Sequence, residues 1–301
     1  MIIKYGIVNN NIDVTDICYN KLCNNNNIIT IPEGDHNRAK YFGDPLYGIL
    51  KSIFIINDLN ETVEYSHTKT IYIDITKNLV EYKDSNDIIT KLTGIHNTLK
   101  IDYGGFNEEY PEQIMATTYL TGYEKVLEIG GNIGRNSLII ASILKEKGNS
   151  DFVSLESSKD IAVQLTHNRD INNLTFHIES SALSKRNLIQ KGWDTIESDV
   201  LLDGYHTVDT ITLDQLYSKY NIEFDTLVLD CEGALYYILM DMPEILNNIN
   251  LIIMENDYWD INKKIFVDDV LKKNGFYVDY KKEGGWGPCF DCFFEVWKRI
   301  K

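Results

Sequence analysis

The chain has 301 residues, 44% hydrophobic and 25% charged, enough to bury a sizeable core in one large domain or two smaller ones. A formal net charge of −16, with basic residues clustered no further than in adjacent pairs, argues against polymeric nucleic acid as a partner. Five cysteines, few and odd in number, argue against a disulfide framework and suit a reducing compartment.

No run approaches the roughly 18 apolar residues of a membrane span. The stretch Met1 to Asn10 lacks the basic, apolar and cleavage regions of a leader, so a cytoplasmic location with no membrane partner is the expectation. From Met1 to about Leu79, short apolar or alternating runs (MIIKYGIV, NIITIP, GILKSIFII, TKTIYIDI) are separated by turn signals such as PEGD and FGDP. This pattern predicts a small β-rich domain over residues 1–80. Residues 81–109 are polar, contain Asp84, Ser85, Asn86 and the Gly104-Gly105 pair, and read as a linker.

From about Tyr110 onward, strand-like runs alternate with helical ones, as in parallel βαβ units. Strands are predicted near Val126 to Ile129, Phe152 to Glu156, Leu174 to Ile178, Thr226 to Asp230 and Leu251 to Glu255. Helices are predicted over Asn136 to Lys147, Asp160 to Asn168 and Asn262 to Lys273, the first stopped by Gly148. A final pair near Phe276 to Tyr280 and Phe293 to Trp297 reads as a hairpin. The expected architecture is a doubly wound α/β sheet over residues 110–301, closed by an antiparallel hairpin.

The stretch KVLEIGGNIGRNSLII, residues 125–140, places an acid (Glu128) in a strand, then Gly130, Gly131, Asn132 and Gly134 in a turn that opens a helix. Gly130 and Gly134 would let a ligand approach bare backbone at the switch point of the sheet. The alternative is structural, a turn needing positive φ or tight helix packing. The next strand ends in Glu156, placed to accept hydrogen bonds from ribose hydroxyls, 26 residues after Gly130. The alternative there is a surface acid at a strand end. The turn lacks the packed G-x-G-x-x-G form, and Glu128 beside it would repel phosphate. S-adenosylmethionine carries an ammonium, a sulfonium and a ribose but no phosphate, and it fits these charges better than NAD does.

VLEIGGNIGRNSL resembles the first motif of the FkbM-type S-adenosylmethionine-dependent methyltransferases. SALS (Ser181 to Ser184), TITLDQL (Thr210 to Leu216) and FDTLVLDCEGA (Phe224 to Ala234) resemble that family's later motifs in the same order, over roughly residues 110–298. The resemblance implies a Rossmann-like class I methyltransferase sheet of seven strands, preceded here by a small β domain outside the match. It implies that Glu128, Gly130, Asn132 and Gly134 surround the methionyl part of the cofactor. Glu156 would hold the ribose, and Ser181 and Ala182 would lie beside the adenine. Asp230 would face the sulfonium and the substrate. Two positions depart from the family: Val228 where it usually has Lys, and Leu235 where it has an acid. A catalytic lysine at Val228 is thereby excluded.

Methyl transfer needs an aligned acceptor and a group that weakens its proton. Asp230, Glu232 and Glu255, at or just beyond adjacent strand ends, are the candidate catalytic acids. Glu232 is equally readable as an acid favoured by a helix N-terminus. Asp230, Glu255 and Asn256 would also make an oxygen ligand set for Mg²⁺ resembling that of catechol-type methyltransferases, although loop anchoring explains Glu255 and Asn256 as well. Tyr258, Trp259 and Trp286 are candidates for the rim of an acceptor pocket or for core packing. The insertion Lys185 to Asp209 would form a wall or lid. His167, His177 and His206 lack ligand spacing, and Cys18, Cys23, Cys289 and Cys292 are too unevenly spaced to read as a zinc site.

The expected activity is O-methylation of a hydroxyl on a sugar, glycan or other small molecule. The alternatives are N-methylation and a non-catalytic scaffold that keeps the fold. The N-terminal domain would help to bind the acceptor or form a homo-oligomer.

Overall fold

The computed structural model describes residues 1–300, which divide into two compact units, residues 1–91 and Leu92 onward. In the first unit every strand pairing is antiparallel. One sheet has the order Asn10–Asp13, Ile2–Ile7, Ser52–Ile56, Thr62–Tyr65, and the other Ile28–Ile31, Lys69–Asp74, Leu79–Asp84. The alternation along these strands turns Ile3, Tyr5, Ile29, Ile31, Ile53, Ile71 and Ile73 inward, as β-branched residues on a half-buried pleated surface do. PEGD and FGDP do not mark a simple loop. They bracket a helix, Asp35–Phe42, whose buried Arg38 donates to the carbonyls of Pro32, Ser66 and Lys69 at 2.7 to 3.0 Å.

Residues 81–109 are not the expected linker. They complete the strand Leu79–Asp84 and run directly into the helix Ser85–Thr98. The polar residues Asp84, Ser85 and Asn86 begin that helix: Asp84 accepts from the Asn86 amide at 3.1 Å, and the Ser85 amide and hydroxyl both donate to the Thr68 carbonyl at 2.9 Å. Leu92 and Ile95, one turn apart, are buried in the core of the second unit.

The second unit is built on β1 (Val126–Ile129), β2 (Phe152–Leu155), β3 (His177–Glu179), β4 (Thr226–Leu229), β5 (Leu251–Glu255), β6 (Phe276–Lys282) and β7 (Phe294–Arg299). They form one sheet in the order β3-β2-β1-β4-β5-β7-β6. The first five are parallel, and β7 runs antiparallel to both β5 and β6. VLEI, FVSL and TLVL are buried at every position because helices cover both faces. This is the expected doubly wound, Rossmann-like sheet of seven strands with its terminal antiparallel hairpin.

The helices are α1 (Tyr110–Tyr119), α2 (Arg135–Lys145), α3 (Lys159–Asp170), α4 (Leu213–Tyr220), α5 (Leu235–Asp241) and α6 (Ile261–Lys273). α4 starts at a capping box in which Thr212 and Gln215 satisfy each other's backbone amides. The insertion contains a three-stranded antiparallel sheet of Leu188–Lys191, Asp194–Glu197 and His206–Val208. Among the described residues, no helix is long and apolar enough to cross a membrane.

Candidate functional site

The order of the sheet reverses between β1 and β4, and a cavity of about 710 Å³ opens beyond the carboxyl ends of these strands. Both the position and the size are those of a small-molecule site. Its wall takes residues from the β1 turn, the ends of β2, β4 and β5, the start of α1, and the insertion.

The β1 turn is shaped by the protein's own packing. Gly130 has φ +94°, and a Cβ there would sit 1.6 Å from the Asp230 carbonyl oxygen. A Cβ at Gly131 would meet Ser154 Oγ at 2.2 Å, and one at Gly134 (φ +97°) would meet Leu165 at 2.5 Å. The room made by Gly130 and Gly134 is therefore filled by the next strand end and by α3, not by a ligand, although Gly130 still lines the cavity. The turn keeps Asn132 at φ +46°, with its amide donating to Glu156 at 2.9 Å and its side chain to Glu109 at 3.0 Å.

Glu156 also accepts from the Ser158 amide at 2.8 Å, so two backbone donors fix a carboxylate that is 5% exposed and faces the cavity. Burial raises its pKa against the pull of those donors. Ser181 and Ala182 line the same wall, beyond the end of β3. Glu128 does not. Its carboxylate lies under the turn, where Ser137 and Ser154 (2.6 Å) donate to it, and burial pushes its pKa up to about 7. The strand acid next to the turn thus supports α2 and β2 and does not reach the large cavity.

Asp230, Glu232 and Glu255 come together at the ends of β4 and β5, and all three line the cavity. Sequence reasoning missed a fourth acid, Glu112. It lies on the first turn of α1, which packs on α2, β5 and β7. The loop before α1 is pinned by the fully buried Gln113, which donates to the carbonyls of Phe106 and Glu108 at 3.0 Å and meets His96 at 2.7 Å. An acid in a first helical turn is ordinary on dipole grounds, so nothing in the sequence marked it. Carboxylate oxygens of Glu112, Asp230 and Glu255 lie within 4.8 Å of one another.

Burial, reinforced by neighbouring charge, favours the protonated forms of Asp230 and Glu255. Burial, followed by the hydrogen bond with Glu112 and the charges of Asp230 and Asp257, pushes Glu255 up to about 12. Asp230 is raised by burial and by Glu109, Asp257, Glu112 and Glu232.

Asn256 does not join these acids. It is fully buried and turned toward the hairpin, where its side-chain amide donates to the Cys292 carbonyl at 2.5 Å and to Glu295 at 3.2 Å. Glu295 also receives Lys264 at 2.8 Å and the Trp297 indole at 3.0 Å. Asn256 therefore does not join Asp230 and Glu255 as expected, and the side chain that stands beside those two acids is Glu112. Alternation along the strand puts consecutive residues 255 and 256 on opposite sides.

Of the two readings of the aromatic candidates, the pocket rim does not hold. Tyr258 is buried in the core against Gly233, and Trp259 stacks on Trp286 with ring centroids 4.1 Å apart, none of the three lining the cavity. The wall instead uses Trp193 from the insertion and Tyr237 from α5. Arg186, the one basic residue on the wall among the described residues, is held by Asp241 and Glu197. The five cysteines are free, with burial raising the Cys231, Cys289 and Cys292 thiols, and His167, His177 and His206 are exposed.

No family model matches the chain, and no curated protein matches it. Several solved structures are similar to part of it. A ribosomal protein L11 methylase from Lactobacillus delbrueckii subsp. bulgaricus is 12% identical, over 67% of this chain and 84% of its own, with a TM-score of 0.42. An O-methyltransferase from Bacillus cereus, solved in complex with SAH, is 16% identical over 72% and 92%, with a TM-score of 0.38. A protein of the NADB-Rossmann superfamily from Streptococcus agalactiae is 13% identical over 63% and 69%, with a TM-score of 0.40. The FkbM resemblance therefore stands on the quoted motifs alone.

Proposed function

We propose that this protein is an S-adenosylmethionine-dependent methyltransferase acting on a hydroxyl of a sugar, glycan or other small molecule. The observation that carries this reading is the acid-rich lining of the switch-point cavity. Glu109, Glu112, Glu156, Asp230, Glu232 and Glu255 all line it, whereas Arg186, its one basic residue among those described, is already paired. A pyrophosphate would be repelled there, while a cofactor with an ammonium, a sulfonium and a ribose is attracted. Glu156, pre-set by two backbone amides at the end of β2, is positioned for the ribose. Ser181 and Ala182 offer a small-residue wall for the adenine, and Asn132 and Gly130 flank the methionyl end.

When bound, the cofactor supplies an electrophilic methyl group on a positively charged sulfur. The chain's residues do the rest. Asp230, at the end of β4 and facing the cavity, would be the first choice to take the acceptor's proton, with Glu232 and Glu255 beside it. Trp193 and Tyr237 give flat faces for a ring-bearing acceptor. A second reading, N-methylation, is favoured by the same excess of acid, which would also attract a protonated amine.

Calorimetry with S-adenosylhomocysteine tests the cofactor assignment. Binding at low micromolar or better, about −8 kcal/mol, is expected. Glu156→Gln should weaken it by roughly 1.5 to 3 kcal/mol by removing a charge-assisted contact. Absence of binding to the folded chain would reject the reading. A screen of nucleotide sugars, free glycans and amines with labelled S-adenosylmethionine then separates oxygen from nitrogen acceptors.

A further inference from the structure

The acids of the cavity include a group whose geometry asks for more than a cofactor. Glu112 is 6% exposed and meets Glu255 in a carboxyl–carboxyl hydrogen bond, its Oε2 receives no other donor, and its carboxylate also lies beside that of Asp230. Asp257, also 6% exposed, leaves its Oδ2 without a partner, and its charge bears on Asp230 and Glu255. Buried carboxylate oxygens are normally satisfied, because an unpartnered one loses its hydration without return. The neighbouring cations are committed elsewhere: Arg135 to Glu108 and Glu109, and Lys264 to Asp268 and Glu295.

We propose that Glu112, Asp230 and Glu255 form a binding site for one hard divalent cation, Mg²⁺ or Mn²⁺, in the cavity wall between α1, β4 and β5. Oxygen-only donors select a hard ion, and three carboxylates from three separate elements leave octahedral positions for water or an acceptor oxygen. Ligand oxygens about 2.1 Å from such an ion stand roughly 3 to 4.2 Å from one another. The observed limit of 4.8 Å is within a small side-chain rotation of that arrangement. Under the O-methylation reading, on which this role rests, the ion makes the acceptor hydroxyl easier to deprotonate at the end of β4. Binding of the ion itself is independent of that reading.

The test uses the full chain freed of metal by chelator and titrated with Mn²⁺ alone at about pH 8, following the free ion by electron paramagnetic resonance. Binding of S-adenosylhomocysteine is measured by calorimetry on the same preparation. One saturable Mn²⁺ site per chain is expected, weakened at least tenfold in Glu112→Gln and retained when S-adenosylhomocysteine is saturating. Glu255→Gln, also isosteric, gives the same readout if the first variant fails to fold. No saturable Mn²⁺ binding by a chain that binds S-adenosylhomocysteine overturns the cation site and leaves the methyltransferase reading standing. Equal binding by the unmutated chain and the folded variants moves the ion elsewhere and overturns the assignment. Displacement of Mn²⁺ by S-adenosylhomocysteine makes the cluster the seat of the cofactor's ammonium and also overturns it. Mn²⁺ binding without S-adenosylhomocysteine binding supports the cation site and rejects the proposed cofactor.

Discussion

Gly130 and Gly148 both have positive φ, yet their neighbourhoods differ, and substitution separates backbone strain from overlap. A Cβ at Gly148 (φ +68°) meets nothing within 4 Å, whereas one at Gly130 lies 1.6 Å from a main-chain oxygen that has no freedom to move aside. Gly148→Ala should cost about 1 kcal/mol, the usual price of a left-handed residue. Gly130→Ala should cost more than about 3 kcal/mol or give no soluble protein, as urea unfolding would read. The sequence displayed both glycines equally, because a pattern reports which backbone angles a position tolerates and not what stands opposite. Glu156 was legible because it ends a strand next to the glycine turn. Glu112 was not, since its importance comes from helix α1 bringing it to β4 and β5, more than 100 residues along the chain. Asn256 misled because its type suits a ligand set, while strand alternation turned it to Glu295.

At the scale of elements, the helix Ser85–Thr98 decides where the second unit begins. A chain starting at Ser85 should fold and bind S-adenosylhomocysteine, because every residue lining the cavity lies at or beyond Glu109. One starting at Asp102 loses Leu92 and Ile95 from the core and the bond between His96 and Gln113. It should be less stable by about 3 to 5 kcal/mol, measured by denaturant titration of the two fragments. The strands of the sheet were read to within a few residues because fully buried parallel strands are near-continuous apolar runs. Helices α1 and α4 escaped notice, being short and mixed in polarity, and α5, LYYILMD, is a seven-residue, mostly apolar run with no helical period to mark it. The insertion, expected as a wall or lid, contributes Trp193, Gln190 and Arg186 to the cavity. Trp193→Ala should raise the acceptor KM by about tenfold with little change in cofactor affinity, since an aromatic face adds on the order of 1 kcal/mol beyond its buried area.

For the whole molecule, raised carboxyl pKa values set the direction of its pH dependence. Glu128 has an ordinary value of 4.5 that burial lifts to about 7, and Glu255 is lifted further. Between pH 4.5 and 7 the folded chain keeps protons that the unfolded chain has released, so stability falls as pH rises through that window. Glu128 alone accounts for up to about 3 kcal/mol. Urea unfolding at pH 5 and pH 8 should show the lower midpoint at pH 8, and Glu128→Gln should reduce the difference. If the cation site is real, Mg²⁺ should restore part of the loss at pH 8, because a ligand that binds only the folded state stabilises it in proportion to the logarithm of its concentration. The stacked pair Trp259 and Trp286 bears on how this molecule assembles. It joins the loop after β5 to the connection between β6 and β7, and two indoles 4.1 Å apart couple their electronic transitions into an exciton band in circular dichroism. That band exists only when the terminal hairpin has docked, so its recovery during refolding, compared with that of the helical signal, times the closing of the sheet.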